Sequence, residues 1–187
     1  MLIKRITFLT IASLSFSVLV SFNTLAKRPK SDLSGPGELR NVLFYIQRSI
    51  NISTIIYELN VNEEGELNAA EPVKIYWKNY ATDNSTEPLN YIQKKYAYGI
   101  DIKIIDVKKN TVSFNFVSYQ KKTIYLIKSP IDGRYKAYCN IAGKFVVLNK
   151  IFIQLNGGTF WFPKIKFIEV SGKDTASNED VSEKIIP

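Results

Sequence analysis

The chain of 187 residues contains no histidine, one cysteine and one methionine. Without imidazole there can be no Ser-His-Asp or Cys-His nucleophile, no HExxH zinc site and no histidine-based pH switch. A single thiol, Cys139, excludes an internal disulfide and any multi-cysteine metal centre. It lies in YKAYCNIAG, where alternation makes it a small buried apolar side chain and not a nucleophile. The run Ile6 to Phe22 is rich in Ser and Thr and falls short of the roughly 20 apolar residues a membrane helix needs. Lysines are scattered through strand-like stretches and form no dense block, so the basic balance does not point to nucleic acid. Gly157-Gly158 is too brief for a phosphate cradle and has no Lys-Ser/Thr after it, which leaves no cofactor motif.

What is present is enough apolar material for one core. Hydrophobic residues make up 45% and aromatics 13%, so the chain can fold without metals or disulfides. Met1 to Ala26 reads as a secretory signal: Lys4 and Arg5, the apolar run, then Thr24-Leu25-Ala26 with small residues at a cleavage site. No cysteine follows the run, which excludes a bacterial lipid anchor. Removing the first 26 residues leaves 161 of 187 and lowers the net charge from +8 to +6. The expected location is periplasmic or secreted, with the cleaved protein not an integral membrane protein.

Residues 27–38 (KRPKSDLSGPGE) read as a flexible lead-in and 39–172 as the folded domain. Strands are expected at Asn41 to Arg48, Thr54 to Val61, Val73 to Tyr80, Ile100 to Val107, Thr111 to Tyr119, Lys122 to Lys128, Tyr135 to Ile141, Phe145 to Leu155 and Lys164 to Ser171. Their links are short, as in a β-meander with no room for parallel crossovers. Residues 173–187 are polar and read as a C-terminal tail, either lying on the domain by Val181, Ile185 and Ile186 or disordered. About nine strands and one short helix predict a mainly β fold, an antiparallel β-barrel or a two-sheet sandwich. The barrel is preferred because it removes exposed strand edges.

The stretch from Val73 to Gly99 organises the rest. In VKIYWKNY, Val73, Ile75 and Trp77 share the face expected to be buried. Thr86 is the expected N-cap of a helix through PLNYIQKKYAYG, with Glu87 and Pro88 in its first turn and Gly99 as its stop. Leu89, Ile92, Gln93 and Tyr96 form its inward stripe. Tyr91 and Lys95, and likewise Lys94 and Tyr98, are four apart, which sets each ammonium beside an aromatic ring. That face reads either as a solvated amphipathic helix or as the wall of a pocket for an anionic or sugar-like ligand. Arg48 shares the parity of Val42, Phe44 and Ile46, so it emerges at the end of an inward face, to meet a carboxylate or an anion. The candidate ligand-binding set is Arg48, Trp77, Tyr91, Lys94, Lys95 and Tyr98.

The blocks FYIQRS, TIIYELN, EPVKIYW, LNYIQKKYAYG and GKDTASNEDVSEKIIP resemble a family of exported bacterial and protist proteins. It is catalogued only as a domain of unknown function, number four thousand eight hundred and thirty-three. The resemblance covers Leu39 to about Pro187 and implies an exported single domain. It implies no activity, and no functional residue carries over from it.

Three functions follow as expectations. The first is a non-catalytic domain holding a small anionic or amphipathic molecule at the barrel mouth; the second is an envelope-associated domain that meets a protein partner or anionic polymer. The third is a carboxylate-based hydrolase drawing on Glu58, Asp101, Asp106, Glu169 or Glu183. The signal reading is checked most simply: intact-mass measurement of the exported protein should place its first residue at Lys27.

Overall fold

The computed structural model describes residues 41–50, 53–80, 83–106, 111–130, 132–159 and 163–187. The expected signal and lead-in lie outside them. Strand formation follows the alternation of β-branched and aromatic side chains in the sequence. The first group is β1 (Val42–Arg48), β2 (Thr54–Leu59), β3 (Val73–Asn79) and β4 (Ser85–Pro88). One helix, α1 (Tyr91–Tyr96), precedes β5 (Ile100–Asp106), β6 (Thr111–Phe116), β7 (Tyr119–Lys128) and β8 (Tyr135–Ile141). The last group is β9 (Lys144–Gly158), β10 (Pro163–Asp174) and β11 (Asp180–Ile185). The protein is therefore mainly β with one short helix, as the sequence predicts.

All these strands join one sheet in the order β4-β3-β2-β1-β9-β8-β7-β6-β5, with β10 and β11 added beside β9. Neighbours are antiparallel except β1 and β9, which run parallel, with Tyr45 opposite Lys150 and Arg48 opposite Ile153. This corrects the expectation that short links exclude parallel pairing. A parallel pair needs a long crossover, and here the chain from β2 to β8 supplies it. β9 is the hinge of the arrangement. Along one edge it pairs with β10, from Val146 through Gly158. Its other edge is shared, Lys144 to Val147 pairing with β8 and Lys150 to Ile153 with β1.

Two limbs, β1 to β4 and β8 to β5, thus leave the same edge of β9 and curl until their inner faces meet. At the meeting point Phe44 stacks on Tyr57, with centroids 4.4 Å apart, and Phe116 meets them edge-on at 6.1 and 5.5 Å. Ile55, Phe114, Ile124, Leu126, Ala137, Cys139, Ile141, Val146 and Leu148 fill the space around these rings. The interior is packed by side chains. A residual apolar cavity of about 80 Å³ beside Ile46, Phe116, Ile151, Ile168 and Ile185 is far below the roughly 300–1,000 Å³ of ligand sites. The sheet curls without closing. β4 and β5 end the strand order and are not paired with each other among the described residues, so the form is a half-barrel. β4 is only four residues long and ends at Pro88, which has no N–H to offer another strand.

Two segments differ from expectation. Thr86 to Pro88, expected as the helix start, join Ser85 in pairing with β3 instead, Thr86 standing opposite Lys78. The helix begins one turn later under an Asn90 cap, whose side chain accepts from the Gln93 N–H while Gln93 reaches back to the Asn90 N–H. Residues 173–187, expected as a polar tail, carry the end of β10 and all of β11. β11 pairs with β10 from Ile168–Ile185 to Lys173–Asp180. Its inward positions are Val181, Glu183 and Ile185, and the charge in the middle masks an otherwise alternating strand.

Glu183 is held there by Lys122, whose Nζ donates to it at 2.8 Å, and by the Ala142 N–H at 3.4 Å. Lys122, more than the Ala142 N–H, holds the Glu183 carboxyl below its usual range. A carboxyl whose folded pKa is depressed adds stability above its unfolded value, about 4.3, and that contribution drains as pH falls through the folded value. Lys122→Met should therefore lower the urea midpoint modestly at neutral pH, since the pair is partly solvated. The gap between variant and parent should narrow on acidification below about pH 4, read as urea midpoints across pH.

Candidate functional site

The open side of the half-barrel, between β3–β4 and β5, contains a groove of about 580 Å³. Its floor is apolar: Val73 and Ile75 from β3, Leu89 from the segment before α1, Ile100 and Ile102 from β5. The same period-2 pattern that buries Val73 and Trp77 in the core aims Ile75, between them, at this gap. The rim is charged and balanced, with Glu71 and Glu87 against Lys74 and Lys94. Lys94 Nζ lies 3.7 Å from Glu71 at the mouth, and Glu87 accepts from Asn79 Nδ2 at 2.9 Å. Tyr76, also at the rim, donates its hydroxyl to Glu58. Burial, and then that carboxylate, raise its pKa, so it stands as a neutral phenol.

Trp77 lies two residues beyond Ile75 and Tyr98 two residues ahead of Ile100, and their rings meet edge-on at 5.9 Å. This contact bridges the seam next to the groove. Each ring is fixed from behind. Trp77 Nε1 donates to Gln93 Oε1 at 3.3 Å, which ties α1 to β3. The hydroxyl of fully buried Tyr57 donates to the Tyr98 carbonyl at 2.6 Å, which ties the segment before β5 to the core. The Arg48 guanidinium carbon stands 5.0 Å from the Trp77 ring centroid, and Nη1 reaches the Tyr98 hydroxyl at 3.5 Å. Arg48 Nε is buried without a hydrogen-bond partner. Among the described residues no carboxylate pairs with this guanidinium, which instead meets the Trp77 ring face and the Tyr98 hydroxyl.

Of the six residues expected to bind a ligand, Arg48, Trp77 and Tyr98 are thus brought into one contact group. Lys94 stands on the groove rim, paired with Glu71 and not set against Tyr98. Tyr91 and Lys95 lie apart, on the exposed side of α1, where Lys95 Nζ donates to the Tyr91 hydroxyl at 3.0 Å and lies 5.2–5.3 Å from the Tyr91 and Tyr96 rings. The expected inward stripe of α1 is also not buried: Ile92 and Tyr96 are exposed and no residue of the helix is buried. A helix of six residues, about 9 Å long, docks through the Asn90–Gln93 cap and the Gln93–Trp77 bond instead of through a face. Sequence reasoning missed the floor residues Ile75, Leu89, Ile100 and Ile102 as a group. Ile75 and Leu89 looked like core and Ile100 and Ile102 like ordinary strand residues, and only an unclosed sheet turns them into one surface.

Of the carboxylates considered for hydrolysis, the Asp106 side chain lies outside the described ones, and the other four do not gather. Glu58 is engaged by Tyr76, Asp101 by Lys103 and Glu183 by Lys122, while Glu169 stands opposite Phe152 on the outer face. Among the described residues no group of three or more His, Cys, Asp or Glu could hold a metal ion. Cys139 is fully buried, and burial pushes its thiol up to about 11. No helix among the described residues is long and apolar enough to cross a membrane, which says nothing of strands.

A family model described as a domain of unknown function, DUF4833, matches residues 44–184. No curated protein and no solved structure matches the chain.

The position that sets the seam is Gly99, because a Cβ placed there would lie 1.9 Å from the Lys94 carbonyl oxygen. That oxygen is backbone and cannot swing aside, so Gly99→Ala forces α1 away from β5. Destabilisation on the order of 1–3 kcal/mol is expected, measured by urea titration. An unchanged midpoint would mean that helix and strand do not approach so closely.

Proposed function

The chain belongs to DUF4833, a family defined as a domain of unknown function, and we propose that it is an exported, non-catalytic domain that binds a small amphipathic molecule in the open seam of its half-barrel. The observation that carries this reading is the groove of about 580 Å³ with an apolar floor and a charged rim. Its size falls within the roughly 300–1,000 Å³ of small-molecule sites. An apolar body would rest on Ile75, Leu89, Ile100 and Ile102, removing from water a surface that the sheet leaves bare. At about 25 cal/mol per Å² of apolar area, covering about 90 Å² contributes roughly 2 kcal/mol before the costs of ordering.

The polar end of the ligand would lie at the rim. Since Glu71, Glu87, Lys74 and Lys94 balance one another, the rim does not select a net charge strongly. Among the described residues Lys74 has no carboxylate partner and Lys94 holds Glu71 only at the surface, so both ammonium groups can turn to a ligand oxygen at little cost. Arg48, flanked by Trp77 and Tyr98 and without a carboxylate, supports an anionic group over a cationic one close to the seam. The export half of the reading rests on the signal-like segment Met1 to Ala26.

The test uses an amphipathic anionic dye, anilinonaphthalene sulfonate, with the folded protein. One site is expected, and Ile102→Glu, which sets a carboxylate into the floor, should weaken the dye at least about tenfold, equivalent to about 1.4 kcal/mol. Circular dichroism should be unchanged. Equal dye affinity in parent and variant would sink the reading, as would a native mass spectrum and organic extract of gently purified protein in which every co-purifying molecule is fully hydrophilic.

A further inference from the structure

α1 is hydrophobic where nothing covers it. Tyr91, Ile92 and Tyr96 are 71%, 48% and 62% exposed, and they are three of the eight exposed large apolar side chains among the described residues. The others are scattered singly or in pairs over strands and turns, whereas these fall within six consecutive positions. Tyr91 and Lys95, and Ile92 and Tyr96, are each four apart, so they form adjacent rows on one side of the helix. The segment YIQKKY contains no acid, its two charges are Lys94 and Lys95, and the Lys94 side chain is 67% exposed.

We propose that this face of α1 is a docking surface for an anionic lipid bilayer, with Tyr91, Ile92 and Tyr96 entering the headgroup boundary and Lys95 meeting lipid phosphates, while Lys94 stays at the groove rim beside Glu71. Charge complementarity selects this occupant: an aromatic face with Lys95 and no acid in the helix, on a chain whose net charge of +8 falls only to +6 without Lys4 and Arg5, meets the negative surface potential of an anionic leaflet. Tyrosine combines an apolar ring with a polar end, the combination that settles at membrane interfaces. The Lys95 ammonium already lies against the Tyr91 and Tyr96 rings, so charge and aromatic surface meet the headgroup layer together. One side of a helix about 9 Å long and about 10 Å across offers on the order of 100 Å², well short of the roughly 800 Å² per side of a standard protein interface, whereas interfacial helices work by shallow insertion. Docking of this face does not require the groove to be filled. The groove floor does begin at Leu89, two residues before α1, so a bilayer under the helix would stand next to the seam.

The full chain is labelled at Ile92→Cys with an environment-sensitive dye; the native Cys139 is fully buried and should not compete. Vesicles of phosphatidylcholine alone are compared with vesicles also containing phosphatidylglycerol. The dye should shift to the blue with the anionic vesicles, and high salt should weaken the response. Lys95→Glu, a change of two charges, should reduce partitioning by about thirtyfold, taking about 1 kcal/mol per charge. Tyr91→Ser combined with Tyr96→Ser should abolish the shift. Ile102→Glu should leave it intact, which separates this surface from the groove. A dye that stays in water while the protein sediments with vesicles would overturn the proposal, because another segment would then be docking. So would equal responses to both vesicle types with Lys95→Glu unaffected, or a shift that depends on protein concentration without vesicles, which would indicate self-association.

Discussion

The stack of Phe44 on Tyr57 against the edge of Phe116 is the contact on which the remaining architecture depends. β1 with β2, and β6, come from opposite limbs of the sheet, and these rings are where the limbs touch. Burying each ring contributes about 1.5–3 kcal/mol from area alone, and aromatic geometry adds about 0.5–1.5 kcal/mol per pair. The hydrogen bond from Tyr57 to the Tyr98 carbonyl adds less, about 0.5–1.5 kcal/mol net, but it carries direction. It fixes where the chain enters β5, and so it decides that Tyr98 faces Trp77 across the seam.

The same packing explains why the sheet stops short of closure. Once Phe44, Tyr57 and Phe116 fill the space between the limbs, the core is satisfied without a β4–β5 ladder. Pro88 and the four-residue length of β4 withhold the hydrogen bonds that would complete it. The groove is the consequence: an apolar strip of Ile75, Leu89, Ile100 and Ile102 that a closed barrel would have buried. α1 lies beside this gap held by polar anchors at Asn90, Gln93 and Lys94, which leaves its aromatic side free.

Much of the fold was readable in the order of residues. VKIYWKNY announced a strand with Val73 and Trp77 inward, and Tyr135 to Ile141 was placed residue for residue, because alternation over six or more positions has one structural meaning. The helix start was misplaced because Ser85, Thr86 and Pro88 are good helix-entry residues, and the pairing of Thr86 with Lys78 is a tertiary preference that overrides them. β11 was hidden by Glu183, a charge at an inward position that makes sense only with Lys122 opposite it. Parity placed Arg48 at the end of an inward face and Trp77 in the core, but helical spacing set Tyr98 against Lys94, and neither its contact with Trp77 nor the separation of Tyr91 and Lys95 was legible. Helical spacing says which side chains are neighbours on a helix, not which of its sides meets the sheet.

What the sequence determined alone was local or compositional: a mainly β chain with one helix, a core without disulfides, and no imidazole or paired thiol with which to do the chemistry those groups allow. Tertiary structure alone decided that β1 runs parallel beside β9, that the sheet stays open between β4 and β5, and that α1 keeps its aromatic side in solvent. The division has a physical cause. Alternation and capping are set by neighbours within a few residues, whereas pairing across more than a hundred residues, and the space left when two limbs curl, depend on how ring volumes fill the interior. That depends on all the rings at once, and no single stretch of the chain contains them.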